Sequence, residues 1–368
     1  MGSVEHLGNL LQQFKGRPVI ELPTPSIVAD LDTLDANLEK MDDLFSAPGC
    51  KLRPHFKSHK CVTLARRQMS RKNTIGITCA KLSEAEQLVA GGIKDVLIAN
   101  QVIGMDKTVR IAEMNRKAVV RVAVDSILGI EQLDIAAQQA GVHIGVLVEV
   151  DIGMNRGGVK PGKPVLDLAE IISTKKGLRF DGLQSYEGHI VTLPDYDERK
   201  RRVEEDMRPL FESRALLEQK GFAVIISSGG TGTYDITGKM KGIDELQVGS
   251  YALMDAAYKT IRPEFLNARY ILATVISKRG DVVSTDVGLK GMGAEYGTPV
   301  AVGYPDTENL YVAEEHAVFK NMDAEIGDKI RIIPPHGCTT NNFYPHMWVT
   351  RNDMIEDLWA IEGRGCLE

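Results

Sequence analysis

The chain has 368 residues, 43% of them hydrophobic and 26% charged, with a formal net charge of −6. That length supports one large α/β domain plus a smaller one, each with its own core, and the composition excludes a disordered chain. An acidic balance argues against a nucleic-acid or anionic-membrane surface, and no apolar run approaches the roughly 20 residues a membrane helix needs, so a small-molecule substrate fits better.

Strand and helix signals alternate from about Ser26 to Tyr251 in at least seven units. After Asp32, the apolar positions Leu34, Leu38, Met41 and Leu44 recur at steps of three and four, which predicts a helix of about three turns that Asp32 can cap. Residues 53–60 (RPHFKSHK) end a short strand. Ser83 followed by Glu86 is a capping-box pattern for a helix running to Gly91, where a glycine can take the left-handed conformation that ends it. Short runs rich in apolar and β-branched residues lie at 74–78, 95–99, 119–124, 145–150 and 223–226. Their near-continuous apolarity suits strands buried on both faces, and their number suits a (β/α)8 barrel better than a doubly wound open sheet. Past Tyr258, segments such as 270–277 and 329–334 are strand-like and separated by Gly, Pro and Asp turns, which reads as a β domain. The five cysteines, Cys50, Cys61, Cys79, Cys338 and Cys366, are odd in number and scattered, so no disulfide framework is indicated. The N-terminus shows no basic region followed by an apolar core, and the expectation is a soluble cytoplasmic protein with reduced thiols.

The chemistry-bearing motifs sit at strand ends. Residues 53–60 pack two histidines between two lysines. A lysine desolvated beside other cationic groups has its ammonium disfavoured, and the free amine can then attack a carbonyl carbon, which is Schiff-base chemistry. The same cluster also reads as a basic strand end that binds solvent or an anion. Residues 227–234 (SSGGTGTY) follow an apolar strand, and their glycines leave backbone N–H groups open to a phosphate, although most such loops are turns. Residues 245–251 (ELQVGSY) present a glycine and a hydroxyl at another strand end; phosphate sites in such barrels commonly form after the last two strands, which these are. Residues 151–158 (DIGMNRGG) place Arg156 at the same mouth, either to donate to a ligand oxygen or to pair with a neighbouring carboxylate. Asp125 and residues 184–189 (QSYEGH) lie at other strand ends there. In residues 335–342 (PHGCTTNN), His336 and Cys338 are two apart on an expected extended segment and project the same way; imidazole with thiolate suits Zn²⁺, though a lone H-x-C is nonspecific.

Residues 24–32 together with R-P-H-x-K resemble the start of the alanine-racemase-like barrel of fold-type III pyridoxal-phosphate enzymes, in particular the branch of D-threonine aldolases and D-serine dehydratases. The loops G-G-T-G-T and E-L-Q-x-G-S-Y, and D-x-G-x-x-R-x-G, are similar to that branch too, with Leu253 where the pattern often has Phe. The resemblance implies that Lys57 carries pyridoxal 5'-phosphate as an imine and that Gly230, Thr231, Gly232, Gly249, Ser250 and Tyr251 bind its phosphate. It also implies that Arg156 donates to the phenolate oxygen, that Tyr186 or Gln184 contacts the ring, and that His336 and Cys338 hold a divalent metal (Zn, Mn or Mg) beside the cofactor. His55 and His59 flank the lysine, and one of them is a candidate to touch substrate or metal-bound water. Several aldolases have a histidine base where this chain has Thr192, leaving His189 as the candidate. The implied organisation is a (β/α)8 TIM barrel over residues 24–258 and a β-rich second domain made of 1–23 plus 259–368, in a homodimer whose second subunit completes the pocket.

The activity implied is that of a lyase on D-3-hydroxy amino acids, cleaving D-threonine-type substrates to glycine and an aldehyde. Residues 286–290 (DVGLK), the phosphate loops and the Glu315-His316 pair look like aldolases, whereas H-x-C is the form met in D-serine dehydratases. A D-serine or D-3-hydroxyaspartate dehydratase is therefore the alternative, and an amino acid racemase, which needs no metal, comes third. A noncatalytic pyridoxal-phosphate carrier on a lone barrel is disfavoured by residues 260–368.

Overall fold

A computed structural model of the chain describes residues 4–47 and 49–368. It divides into two compact units: the chain up to Met41 with Ser58–Leu64 and Ser250–Gly365, and Asp42–Lys57 with Ala65–Gly249 and Cys366–Glu368.

The second of these is built on eight parallel strands, Lys51–Leu52, Ile77–Cys79, Asp95–Gln101, Val119–Val124, Ile144–Glu149, Leu178–Gln184, Ile225–Ser228 and Glu245–Leu246. From the second strand onward, neighbours in the sheet are neighbours in sequence, and the last pairs with the first at Glu245 and Lys51. Parallel bridges Leu52–Thr74 and His55–Thr78 join the first strand's continuation to the second, so the ring closes. Val120, Val122, Val146, Leu147 and Val148 are all fully buried, the condition of a parallel sheet covered by its crossover helices. This is the expected α/β TIM barrel, accompanied by a strand-rich second domain.

Toward the strand N-termini the barrel interior is charged. Arg53, 1% exposed, donates from Nε and Nη2 to Glu245, each at 2.7 Å, and from Nη1 to Asp95 at 2.6 Å. Arg121 spans Asp95 and Asp181 at 2.7 and 2.8 Å. A Cβ at Gly76 would strike the Arg53 guanidinium, so only glycine leaves room for it there.

Local details depart from the sequence reading in three places. The helix Leu31–Leu44 is capped by Asp30 rather than Asp32, since Asp30 Oδ1 accepts the Thr33 N–H at 2.8 Å; Leu34, Leu38 and Met41 are buried but Leu44 is exposed. The helix Leu82–Ala90 opens on Glu84, not on Ser83 and Glu86, because Glu84 lies three residues past the cap Lys81 and its carboxylate accepts the Ala80 and Lys81 N–H groups. Gly91 has φ −74° and Gly92 φ +89°, so the left-handed glycine is the second one.

In the first unit, Ser26–Asp30, which the alternation placed at the head of the barrel, pairs antiparallel with Arg269–Arg279 and parallel with His346–Arg351. Arg269–Arg279 also carries Val282–Thr285 and Lys329–Ile333. One core gathers Val275, Val283, Phe319 and Ile332; another gathers Val19, Leu22, Val28, Leu272 and Trp348. Phe14, at the end of the helix Val4–Phe14, meets Trp348 edge-on with ring centroids 5.4 Å apart. No helix among the described residues is long and apolar enough to cross a membrane.

Candidate active site

Each barrel strand hands its following residues to one rim, where barrel enzymes carry their chemistry. Lys57 follows the first strand, Arg156 the fifth, Tyr186 the sixth and Gly230 the seventh. Lys57 Nζ lies 5.5 Å from the centroid of the Tyr186 ring and the Arg156 guanidinium 5.9 Å from the same centroid. Gly230 abuts that ring: a Cβ there would come to 3.2 Å of an edge carbon. Lys57, Arg156 and Gly230 therefore meet around the ring of Tyr186, bringing four of the predicted residues together. The amine is presented by the short helix Phe56–Ser58, anchored by the fully buried Phe56, and the Lys57 N–H donates to His55 Nδ1 at 3.3 Å.

Glu149 ends the fifth strand beside this cluster. It is buried and accepts a short hydrogen bond from Gln184 Nε2. Burial raises its carboxyl to about 7; the hydrogen bond from Gln184 and the Arg156 charge pull the other way, while Asp125 and Asp151 add to the rise. His189 Nε2 lies 2.8 Å from Asp206 Oδ2, and its buried Nδ1 has no hydrogen-bond partner among the described residues. A Cβ on Gly153 would come to 3.1 Å of His189 Nε2, which sets the imidazole against the turn that bears Arg156.

Thr231 is 2% exposed, and the Gly230 N–H donates to Thr233 Oγ1 at 3.4 Å. Gly229 has φ +81°, a left-handed conformation that favours glycine. Gly232 passes so close to Val191 that a Cβ would strike its carbonyl. Gly249 is buried at the end of the barrel unit, next to Val248, whose carbonyl accepts the His55 N–H at 2.8 Å. Ser250 and Tyr251 fall in the other unit, where Tyr251 packs edge-on against Phe265 with centroids 6.0 Å apart.

That first unit also holds His59, His336 and Cys338. His59 is fully buried, and its Nδ1 accepts the Cys61 N–H at 3.2 Å. The H-x-C segment is not extended as expected: His336 precedes the helix Gly337–Phe343, and Cys338 rides on its first turn. The two side chains nonetheless hydrogen-bond each other. Burial lowers the His336 pKa, but the bond to Cys338 and its charge, then Glu295, more than reverse this and raise it to about 9. His336 Nδ1 is 2.5 Å from Glu295 Oε1, and Tyr296 packs on the imidazole with centroids 4.4 Å apart. The intervening peptide is clamped: Asp255 accepts the Gly337 N–H at 2.9 Å and Arg269 Nη1 donates to its carbonyl at 3.3 Å. Lys60 Nζ donates to the Cys338 carbonyl at 3.2 Å. A crevice beside the clamp is lined by Ser58, Ser250, Asp255, Arg269 and Cys338.

Among the described residues no group of three or more His, Cys, Asp and Glu side chains is placed to hold a metal. The pair that is present nevertheless suits one. Thiol and imidazole are in contact, and a carboxylate behind the imidazole is the usual device for fixing a metal-binding tautomer. Glu149, Glu295, Asp255 and Arg269 were not singled out from sequence. Glu149 carried a signal, a lone acid in the apolar run 145–150, whereas Glu295 sits 41 residues from His336 in no periodic pattern.

Comparison with known proteins gives two family matches. The model described as alanine racemase, N-terminal domain, matches residues 29–257, and that described as putative serine dehydratase domain matches residues 268–350. A D-threonine aldolase of Arthrobacter sp is 36% identical over 95% of this chain and 95% of its own length. A 3-hydroxy-D-aspartate aldolase of Paracoccus denitrificans is 34% identical over 94% of this chain and 93% of its own. The crystal structure of D-threonine aldolase from Filomicrobium marinum aligns with a TM-score of 0.94 at 35% identity, covering 96% of this chain and 99% of that one.

Proposed function

The chain belongs to the alanine racemase N-terminal-domain family, and from that membership and its aldolase relatives we infer a pyridoxal-phosphate-dependent lyase that splits D-3-hydroxy amino acids of the D-threonine type into glycine and an aldehyde. The observation that carries the reading is the meeting of the Lys57 amine and the Arg156 guanidinium on the Tyr186 ring at the barrel rim. An aromatic face flanked by an amine, a guanidinium and a loop with no side chain in the way fits an aromatic aldehyde bearing a phosphate. Lys57 would hold the aldehyde carbon, Arg156 the phenolate oxygen, Tyr186 the ring, and Gly230, Thr231, Gly232, Gly249, Ser250 and Tyr251 the phosphate. When bound, pyridoxal phosphate supplies an electron sink for the pair released at Cα. His336 and Cys338 would hold a divalent cation (zinc, manganese or magnesium), which supplies Lewis acidity toward the 3-hydroxyl.

Cleavage of Cα–Cβ requires the 3-hydroxyl to lose its proton and Cα to gain one. His189 is our candidate for the accepting base. Asp206 facing Nε2 favours the Nε2–H tautomer and leaves Nδ1 as the accepting nitrogen; that atom is buried, so the His189 ring would have to turn to reach the 3-hydroxyl. His55 supports the turn that presents Lys57, and His59 orders the chain just past it. Three buried thiols, Cys50, Cys61 and Cys79, suit a reducing cytoplasm; burial pushes the first two up to about 12. Exposed Tyr296, Leu310 and Tyr311 on the first unit offer apolar surface for a second copy, and we take the enzyme to be a homodimer.

A second reading has its own support. The serine dehydratase domain match and the H-x-C pair favour loss of the Cα proton and of hydroxide, giving an enamine that water hydrolyses to a keto acid and ammonia. Incubation with D-threonine or D-3-hydroxyaspartate, pyridoxal phosphate and Mn²⁺ or Zn²⁺ separates the two. Aldehyde with glycine is expected; keto acid with ammonia establishes the dehydratase, and neither product refutes both.

A further inference from the structure

Residues 185–191 are moulded to the glycine-rich loop 229–233 at three points. The Tyr186 ring abuts Gly230, the Val191 carbonyl fills the space a side chain at Gly232 would need, and between them Glu187 reaches behind the loop. Glu187 is fully buried and accepts the hydroxyls of Thr233 at 2.6 Å, Thr237 at 2.5 Å and Ser228 at 3.4 Å. Thr233, having given its hydrogen to Glu187, accepts the Gly230 N–H on the same oxygen. Tyr186 thus meets Lys57 and Arg156, while its neighbour Glu187 binds the back of the loop.

A carboxylate in a dry interior is costly, and apolar residues would fill that volume more cheaply if filling were its purpose. What an acid adds is acceptor capacity. Its Oε1 takes the Thr233 and Thr237 hydroxyl hydrogens and thereby turns both hydroxyls toward the back of the loop, while Ser228, also 2.9 Å from Ser185 Oγ, lies at the edge of the same network.

We propose that Glu187 is a positioning residue for phosphate binding, holding residues 229–233 in the conformation that receives the phosphate monoester of the ligand whose ring rests on Tyr186. This rests on the cofactor reading above.

The test titrates the apoprotein with pyridoxal phosphate and, separately, with pyridoxal, which lacks the phosphate, following both by absorbance. Wild type should prefer the phosphorylated compound; equal affinities would refute the phosphate reading of the loop itself. Glu187→Met removes both acceptor oxygens at similar volume and should weaken pyridoxal phosphate about tenfold while leaving pyridoxal within about twofold, whereas Glu187→Gln, whose amide oxygen can still accept from Thr233 and Thr237, should largely restore the preference. Thr237→Val removes one donor with little change of volume and should shift the same ratio by about threefold, which keeps the test alive if the first variant fails to fold. Equal weakening of both compounds would mean a merely structural role, and unchanged affinity for both would mean none; either overturns the proposal.

Discussion

Lys57 is held from both sides of the peptide: Phe56 is sunk in the interior and His55 accepts the lysine's own N–H, so the amine projects from a fixed turn. Lys57→Ala should therefore leave the far-ultraviolet circular dichroism unchanged and abolish the near-visible absorption of protein loaded with pyridoxal phosphate; a retained band would place the covalent attachment elsewhere. Glu149 allows a pH prediction. Its carboxyl sits near 7 in the folded chain against 4.5 when unfolded, because burial disfavours the ionised form. Its contribution to stability is thus fully present below about pH 4.5 and is lost as pH rises through about 7, a change on the order of 3 kcal/mol. Urea denaturation of wild type and Glu149→Gln across that window should show the difference; parallel profiles would refute it. That Lys57 and Arg156 come to the same rim was legible, because each sits in a strand-end motif of fixed spacing. Glu295 was not, since its role exists only once residues far apart in sequence are brought together.

The barrel strands show why an apolar run is a good but incomplete signal. Residues 119–124 matched an observed strand outright, and 95–99 and 145–150 came within two residues of one. Leu178–Gln184 carries Arg179 and Asp181 in its middle, and it escapes that criterion because those charges belong to the polar network around Arg121 and Asp95. Arg53 is the centre of that network, and although it adjoins the histidine and lysine cluster in sequence it turns away into the barrel. Arg53→Met would leave Glu245 buried without its counter-ion. The expected cost is about 3–5 kcal/mol in urea denaturation at neutral pH, and a loss under about 1 kcal/mol would show that Glu245 finds another partner or takes up a proton. The cap at Asp30 and the box at Glu84 were each misplaced because several acids crowd these helix starts, and only the backbone path decides which one reaches the free N–H groups.

At the scale of the whole molecule, the alternation of strand and helix and the change of texture past Tyr258 were both legible. The assignment of Ser26–Asp30 was not: a short strand buried on both faces reads the same in either sheet. The proposed metal would have only two protein donors among the described residues, too few for a structural centre. Complete chelation should therefore abolish turnover while leaving the thermal midpoint within a few degrees and the near-visible absorption intact, with activity restored by Mn²⁺ or Zn²⁺. Turnover that survives chelation would exclude both lyase readings. The two compact units also exchange the chain repeatedly, and the boundary between Lys57 and Ser58 falls inside one short helix. During synthesis, Ser26–Asp30 emerges from the ribosome early, yet both of its hydrogen-bonding neighbours lie beyond residue 268. Its apolar backbone edge stays open until most of the polypeptide has been made, so folding of that sheet is tied to the end of translation, and nascent chains truncated before Arg269 are the forms most in need of a chaperone.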